Sequence, residues 1–374
     1  MLASKIDQQQ QNLEALVTSL DEILGLVVQF DPKKYGASRN FKNGAVSRLS
    51  PYISRDVIST LFVYEHLTDI FEDLRPFEKF IQELAWRDYW QRVWQENNID
   101  VELKTKQSPV LNSGVPKAIL EANTGIEAVD NAIQELYETG YMHNHMRMYV
   151  AAIVCNIGKY HWKEPALWLY SHLHDGDWGS NVLSWQWVAG SNSHKKYYAN
   201  QENINKYFDS DQKNTFLDCS YEALVEMNVP DVLTESTPFE FKTELPKSNL
   251  NLRADKPVLL YTTYNLDPFW RKDMDANRVL ILEPEQFEKY PVSQKSLDFI
   301  LDLSKNIPDL QIFSGSFQDF SEHISQPIFF KEHPLNTHFA GTKDSRDWLN
   351  PEVELQSSFF KYWKKVKKSL PEFA

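Results

Sequence analysis

Around residues 246–256 the chain changes its hydrophobic period, and that switch limits the fold more than any other feature. Before it, apolar residues recur at three- and four-residue spacing, the mark of a helix with one buried face. LEALVTSLDEILGLVV from Leu13 and PFEKFIQELAWRDYWQRVWQ from Pro76 both follow this rule. In the second, Phe77, Phe80, Leu84 and then Tyr89 or Trp90 form one stripe. GIEAVDNAIQELYETG and GYMHNHMRMYVAAIVCNIGKY predict two helices split at Gly140. After the switch come PVLLYTTYN, RVLILE, LQIFSGS and PIFFKE, apolar runs of strand length, with KSLDFILDLSKN at helical spacing between the second and third. Strands alternating with a helix predict a small α/β unit with parallel strands. PKSNLNLRADKP, polar residues bracketed by prolines, predicts the joint. PEVELQSSFFKYWKKVKKSL predicts a terminal helix with a basic end. The expected architecture is mainly α over 1–245, a linker at 246–256, and a small α/β domain with a parallel sheet at 257–374.

A length of 374 residues suits two such domains, and 42% hydrophobic residues suffice for sizeable cores. The aromatic load, 11 Trp, 17 Tyr and 22 Phe, fits either large cores or a site for a flat aromatic ligand. A net charge of -13 gives no support to the basic footprint of a dedicated nucleic-acid binder. Two distant cysteines, Cys155 and Cys219, fall short of the four that an all-cysteine iron–sulfur cluster or zinc site needs, so neither is expected. The polar start MLASKIDQQQQNLEALV is not a signal peptide, and no apolar run approaches the roughly 18 residues of a membrane helix. A cytoplasmic protein without a membrane partner is expected.

Three stretches can carry chemistry. In RLSPYISRDVIS, Ser50 before Pro51 predicts a serine N-cap with proline at the first helical position, and Ser47 and Arg48 add a hydroxyl and a guanidinium beside it. Such an end suits phosphate, although an ordinary capped helix explains it equally well. In QELAWRDYWQRVW, Glu83 and Arg87 are spaced for an exposed i,i+4 ion pair, and Trp86, Trp90 and Trp94 follow at the same spacing. In TGYMHNHMRM, His143 and His145 do not share a helix face and make poor joint metal ligands, so no metal is expected. Arg147 on a largely apolar helix needs a carboxylate, for which Asp175 and Asp177 in HDGDWGSNVLSWQWVAG are the candidates. No GxGxxG, GxxxxGK[ST] or GxSxG motif is present.

In chain order, YGASRNFKNGAVSRLSPYISRDVIS, QELAWRDYW, TGYMHNHMRM and DGDWGSNVLSWQW resemble the flavin-binding helical domain of the photolyase/cryptochrome family, over about residues 30 to 208. The resemblance implies FAD in a bent form. Tyr35 and the turn Ser47-Arg48-Leu49-Ser50 would hold its diphosphate, Arg147 would pair with Asp175 beside the ring system, and Asp177 would hold the ribose or ring edge. Asn181 falls at the position facing the flavin N5 atom; Trp185 and Trp162 match the first two members of the photoreducing chain. The third falls near Ser108-Pro109, where no tryptophan stands.

Glu83, Trp86, Asn144, Met148 and Trp187 match the positions that contact a cyclobutane pyrimidine dimer, and Arg39 and Arg87 match DNA-contacting arginines. The implied activity is deoxyribodipyrimidine photolyase: excited FADH⁻ passes an electron to a flipped-out dimer in UV-damaged DNA, the dimer splits and the electron returns. His145 stands where the family has another arginine, and KYYANQENINKY lacks the arginine of its segment. The α/β unit also follows the helices instead of preceding them, so it resembles a permuted or reduced antenna domain, and no antenna chromophore is assigned. These departures favour the alternative of a cryptochrome-like photoreceptor with an unknown signalling partner and little or no repair activity.

Overall fold

The computed structural model describes residues 16–193, 195–322 and 324–373; the N-terminal stretch used above to argue against a signal peptide lies almost wholly outside them. Among the described residues no helix is long and apolar enough to cross a membrane. The helix expected from Leu13 is described from Leu20 to Gln29, capped by the Ser19 hydroxyl. The stripe around Phe80 becomes the helix Glu78–Glu96. The split at Gly140 is found: Glu127–Thr139 ends on Gly140 in the left-handed conformation, φ 69°, where a glycine is unstrained. Asn144–Ala152 follows and runs into a π-helical turn at Ile153–Ile157. Lys163–His172 and Trp178–Val188 complete the helices that carry the site.

The second part is a five-stranded parallel sheet. Its strands are β1 (Val258–Tyr261), β2 (Asn277–Leu282), β3 (Leu310–Ser314), β4 (Ile328–Lys331) and β5 (Thr342–Asp344). Four match the apolar runs; β5 was not foreseen because its residues, Thr-Lys-Asp, are polar and stand at an edge. The spatial order is β3-β2-β1-β4-β5, so the chain builds outward from the centre, then returns to the other side. That doubly wound order has its switch between β1 and β4. The helix between β2 and β3 is Gln294–Ser304. The terminal helix is shorter than expected, Phe359–Ser369, and residues 351–358 are not helical.

The two parts share one core. Leu259, Tyr261, Leu280 and Leu282 point to the helical side and join its cluster, while Val258, Leu260, Val279 and Ile281 face a second cluster with Phe317, Phe320 and Phe339. This is the period-two division of a sheet buried on both faces. Residues 246–256 are hydrogen-bonded to the sheet: 246–251 line the edge strand β3, and Arg253 and Lys256 bond to Asn277 at the start of β2. The Asn249 N–H donates to the Ile312 carbonyl at 3.0 Å and the Ser314 N–H to the Ser248 hydroxyl at 2.9 Å. An exposed strand edge is thereby covered. At the carboxyl ends of β1 and β4, where such sheets often take ligands, the helical part docks instead. Lys331 Nζ lies 3.2 Å from Asp56, 2.8 Å from Asp267 and 2.9 Å from Asp347.

Candidate functional site

The site is built around Arg147. His143 caps its helix by accepting the His145 N–H, so the two histidines are spent on the backbone turn and on ring packing. Arg147 Nε donates to the Met142 carbonyl at 2.9 Å, which aims the guanidinium, and Nη2 meets Asp175 Oδ2 at 3.0 Å. The same oxygen accepts the Ser50 hydroxyl at 2.8 Å, and the Ser54 hydroxyl donates to the Asp175 carbonyl. Burial works to raise the Asp175 pKa, but the Arg147 charge and the two hydrogen bonds outweigh it and hold the carboxyl below its ordinary range. Asp175 is therefore an anion at neutral pH. Its other oxygen, Oδ1, is buried without a protein partner, and so is Ser180 Oγ close behind it in the chain. Buried polar atoms are paired in folded proteins, so these two suit a polar ligand.

Ser50 is not the helix cap that the sequence predicts. The helix Ser50–Ser54 begins after Leu49, without a side-chain cap, because the Ser50 hydroxyl is drawn to the charged Asp175 rather than to a neutral N–H. Arg48 takes the left-handed conformation, φ 52°, and its guanidinium lies 5.3 Å from the centre of the Tyr141 ring. The Ser47 hydroxyl accepts the Leu49 N–H at 3.3 Å. Tyr35 packs edge-on to Phe80 at 5.3 Å with Arg39 over its ring, and burial pushes its hydroxyl pKa up.

Asp177 differs from its expected role. Oδ1 accepts the Ser180 N–H at 2.6 Å as the cap of the helix Trp178–Val188; Oδ2 accepts Gln91 Nε2 at 2.6 Å and faces Arg87 at 3.3 Å. Both oxygens are engaged, so its part is to hold the helix start. Arg87 is correspondingly turned inward, between Asp177 and the Ser54 hydroxyl. It forms no pair with Glu83, which binds Arg39 at 3.0 Å instead. The exposed i,i+4 pair is thus replaced by two longer-range pairs, and Arg87 is not presented to solvent. Asn181 Nδ2 donates to the Ala166 carbonyl at 2.7 Å, which fixes its amide and leaves its oxygen and its second N–H for a ligand.

Glu83, Trp86, Asn144, Met148 and Trp187 keep the character the resemblance gives them only in part. Asn144 and Met148, four residues apart, share a helix face with Arg147 close by. Trp187 is 39% exposed, while Trp185 and Trp162 are fully buried. Burial pushes the Glu83 pKa up, against the pull of Arg39. Trp86 is covered: Phe359 of the terminal helix lies flat on it, ring centres 3.4 Å apart and planes within 9°. Nothing local to Trp86 signals this contact, since it requires the last helix to return to the first half of the chain. Ser180 and Ser54 were also missed. Ser180 was findable as the third residue after a capping aspartate; Ser54 was not, because its bond to Asp175 depends on the tertiary fold.

Part of the chain is similar to known proteins. Residues 80–228 match the FAD binding domain of DNA photolyase. Over 162 residues the chain is 32% identical to the deoxyribodipyrimidine photo-lyase of Alkalihalophilus pseudofirmus, covering 41% of this chain and 34% of that protein. Over 163 residues it is 28% identical to the Halobacterium salinarum photo-lyase, with coverages of 41% and 34%. A Synechocystis cryptochrome structure superposes with a TM-score of 0.46 at 24% identity, over 52% of this chain and 44% of that one. The match spans about a third of the length of these curated relatives. Glu83 through Trp187 lie inside the matched stretch; Tyr35, Arg39 and Ser47 through Ser50 precede it.

Proposed function

We propose that this chain, whose residues 80–228 match the FAD binding domain of DNA photolyase, is a member of the photolyase/cryptochrome family that binds FAD and repairs cyclobutane pyrimidine dimers under blue light. The observation that carries the reading is the Arg147–Asp175–Ser50 cluster with two buried, unpartnered oxygens beside it, Asp175 Oδ1 and Ser180 Oγ. A polar ring edge carrying N–H groups fits the first and a carbonyl or hydroxyl the second. The chemistry required of the cofactor is an electron lent to the dimer under light and recovered after it splits.

The chain's own residues would do the rest. Arg147 and Asp175 would fix charge at the ring edge, and Asn181 would face the flavin N5 atom. Tyr35 and the turn Ser47-Arg48-Leu49-Ser50 would hold the diphosphate. Glu83, held by Arg39 at 3.0 Å, would stabilise the dimer radical by hydrogen bonding or proton donation. Trp187 and Trp86 form apolar walls, Asn144 and Met148 one side between them, and Trp185 and Trp162 bring electrons to the flavin. Photoreduced protein mixed with dimer-containing oligothymidylate should restore intact thymine under blue light and not in the dark. Absence of light-dependent restoration sinks the proposal.

A second reading, a flavin photoreceptor acting on a signalling partner, is favoured by one observation: Phe359 lies flat on one face of Trp86, an expected wall of the lesion pocket. It expects light-driven flavin reduction with little affinity for damaged DNA. Tight binding of dimer-containing over undamaged DNA counts against it.

A further inference from the structure

The two places where arginines of the family pattern are lost, His145 and KYYANQENINKY, come together as a run of rings in contact, most of them tilted against one another. Exposed Trp187 lies 6.0 Å from Tyr197, and Tyr197 is nearly parallel to Tyr149 at 6.4 Å. Tyr149 packs on His145 at 4.7 Å, His145 on Tyr207 at 4.8 Å, and Tyr207 on Phe41 at 5.0 Å. Buried Tyr149 is the floor; Trp187 and Phe41 are exposed at the two ends, with Tyr197, His145 and Tyr207 partly exposed between them. Lysines edge the run. Lys206 lies 5.2 Å from the Tyr207 ring centre, and the Lys42 N–H donates to the Tyr207 carbonyl. Lys195 and Lys196 precede Tyr197 directly. None of these four lysines forms an ion pair among the described residues.

A duplex offers a protein its phosphates and groove edges, and phosphate recognition calls for a dense positive face. This chain carries a net charge of -13 and has rings where arginines would stand. Aromatic rings recognise a different feature, the open face of an unpaired base. Stacking of that kind is indifferent to sequence and needs few charges. We infer that the shelf from Trp187 to Phe41 holds the unpaired strand beside the dimer, so that the substrate is single-stranded DNA in preference to duplex. The inference rests on the DNA-repair reading but not on its chemistry, because strand binding needs neither light nor a lesion. Four lysines suffice to anchor a few phosphates while the rings take the bases, and exposed Trp187 joins the shelf to the lesion pocket.

The test is fluorescence anisotropy of full-length, flavin-loaded protein in the dark, with lesion-free oligothymidylate, its duplex with oligoadenylate, and oligouridylate. The single DNA strand should bind at least about tenfold tighter than the duplex. Its log–log salt slope should be no steeper than about -3, four lysines at about -0.7 each. Tyr197→Ala and Tyr207→Ala should each weaken strand binding between about fivefold and a hundredfold. Tyr197→Phe and Tyr207→Phe should bind as the parent does, and they separate lost stacking from a damaged fold if an alanine variant melts early. Duplex binding as tight as single-strand binding, or alanine variants that melt normally and bind normally, overturns the inference. Equal binding of oligouridylate overturns its assignment to DNA. Protein that prefers the single strand but splits no dimer upholds the shelf and refutes repair; protein that repairs duplex without strand preference does the reverse.

Discussion

Replacing Lys331 by methionine should unlock the two halves of the molecule from each other. Lys331 Nζ sits among Asp56, Asp267 and Asp347, with side-chain exposures of 4% for the lysine and 6%, 14% and 45% for the acids. Methionine fills a similar volume, so the loss is one of charge. Asp347 can rehydrate, but Asp56 and Asp267 remain buried without their cation. Breaking a buried pair by removing one partner costs about 3–5 kcal/mol. The deficit also has a pH signature. Burial already raises the Asp56 pKa, with Lys331 the chief opposing influence. Without the lysine it rises further. A carboxyl whose folded pKa is raised stabilises the fold below its unfolded pKa, and that contribution is lost as pH rises through the folded value. The variant should therefore fall furthest behind the parent near pH 8 and recover part of the deficit near pH 5. Urea titrations followed by tryptophan fluorescence at both pH values measure this. Asp56 follows closely on Ser50 and Ser54, which hold Asp175, so flavin content should fall with stability. A deficit below about 1 kcal/mol at pH 8, or one that grows toward pH 5, refutes the reasoning.

Other perturbations give equally definite outcomes. Asp88, which accepts the Thr60 hydroxyl and the Leu349 N–H, has its pKa raised to about 6 by burial, against those two hydrogen bonds. Its contribution is present below the unfolded value of about 4 and lost as pH rises through about 6. The stability of the parent relative to Asp88→Asn should thus drop by roughly 2 kcal/mol between pH 4 and pH 7; a difference that does not change with pH contradicts the burial argument. Arg147→Met leaves the buried Asp175 carboxylate with only the Ser50 hydroxyl as hydrogen-bond partner, and gel-filtered protein should lose most of its FAD absorbance; full retention shows that the pair is not part of the cofactor site. Phe359→Ala removes a 3% exposed ring stacked on Trp86, at about 3–5 kcal/mol of stability. If the base-stacking face of Trp86 is thereby opened, binding of dimer-containing strands should tighten in the variant. Weaker or equal binding by folded variant places Trp86 outside the lesion pocket.

What the sequence reveals of this molecule follows from how local the controlling contact is. The period switch at 246–256 and the apolar runs of β1, β2 and β4 were legible because a strand buried on both faces must be apolar throughout. β5 was not, because an edge strand of Thr-Lys-Asp owes its pairing to its neighbour. Arg147 and Asp175 were legible for an energetic reason: a guanidinium on a largely apolar helix needs a counter-charge, and few are within reach. Arg87 obeyed the same logic with a different result. Its local partner, Glu83, was four residues away, but that pairing is worth only a few tenths of a kcal/mol, and a buried aspartate at a helix start outweighs it. Once Arg87 turns to Asp177, Glu83 is left for Arg39, and both arginines that the family pattern would set against DNA are paired with carboxylates, Arg87 in the interior and Arg39 at the surface. That single exchange bears on partner choice. With Arg39 and Arg87 committed, His145 in a ring stack and the net charge negative, phosphate attraction cannot be the main source of any DNA affinity. Such affinity would have to come from surfaces that recognise bases, and the exposed aromatic run beginning at Trp187 is the one positioned to supply it.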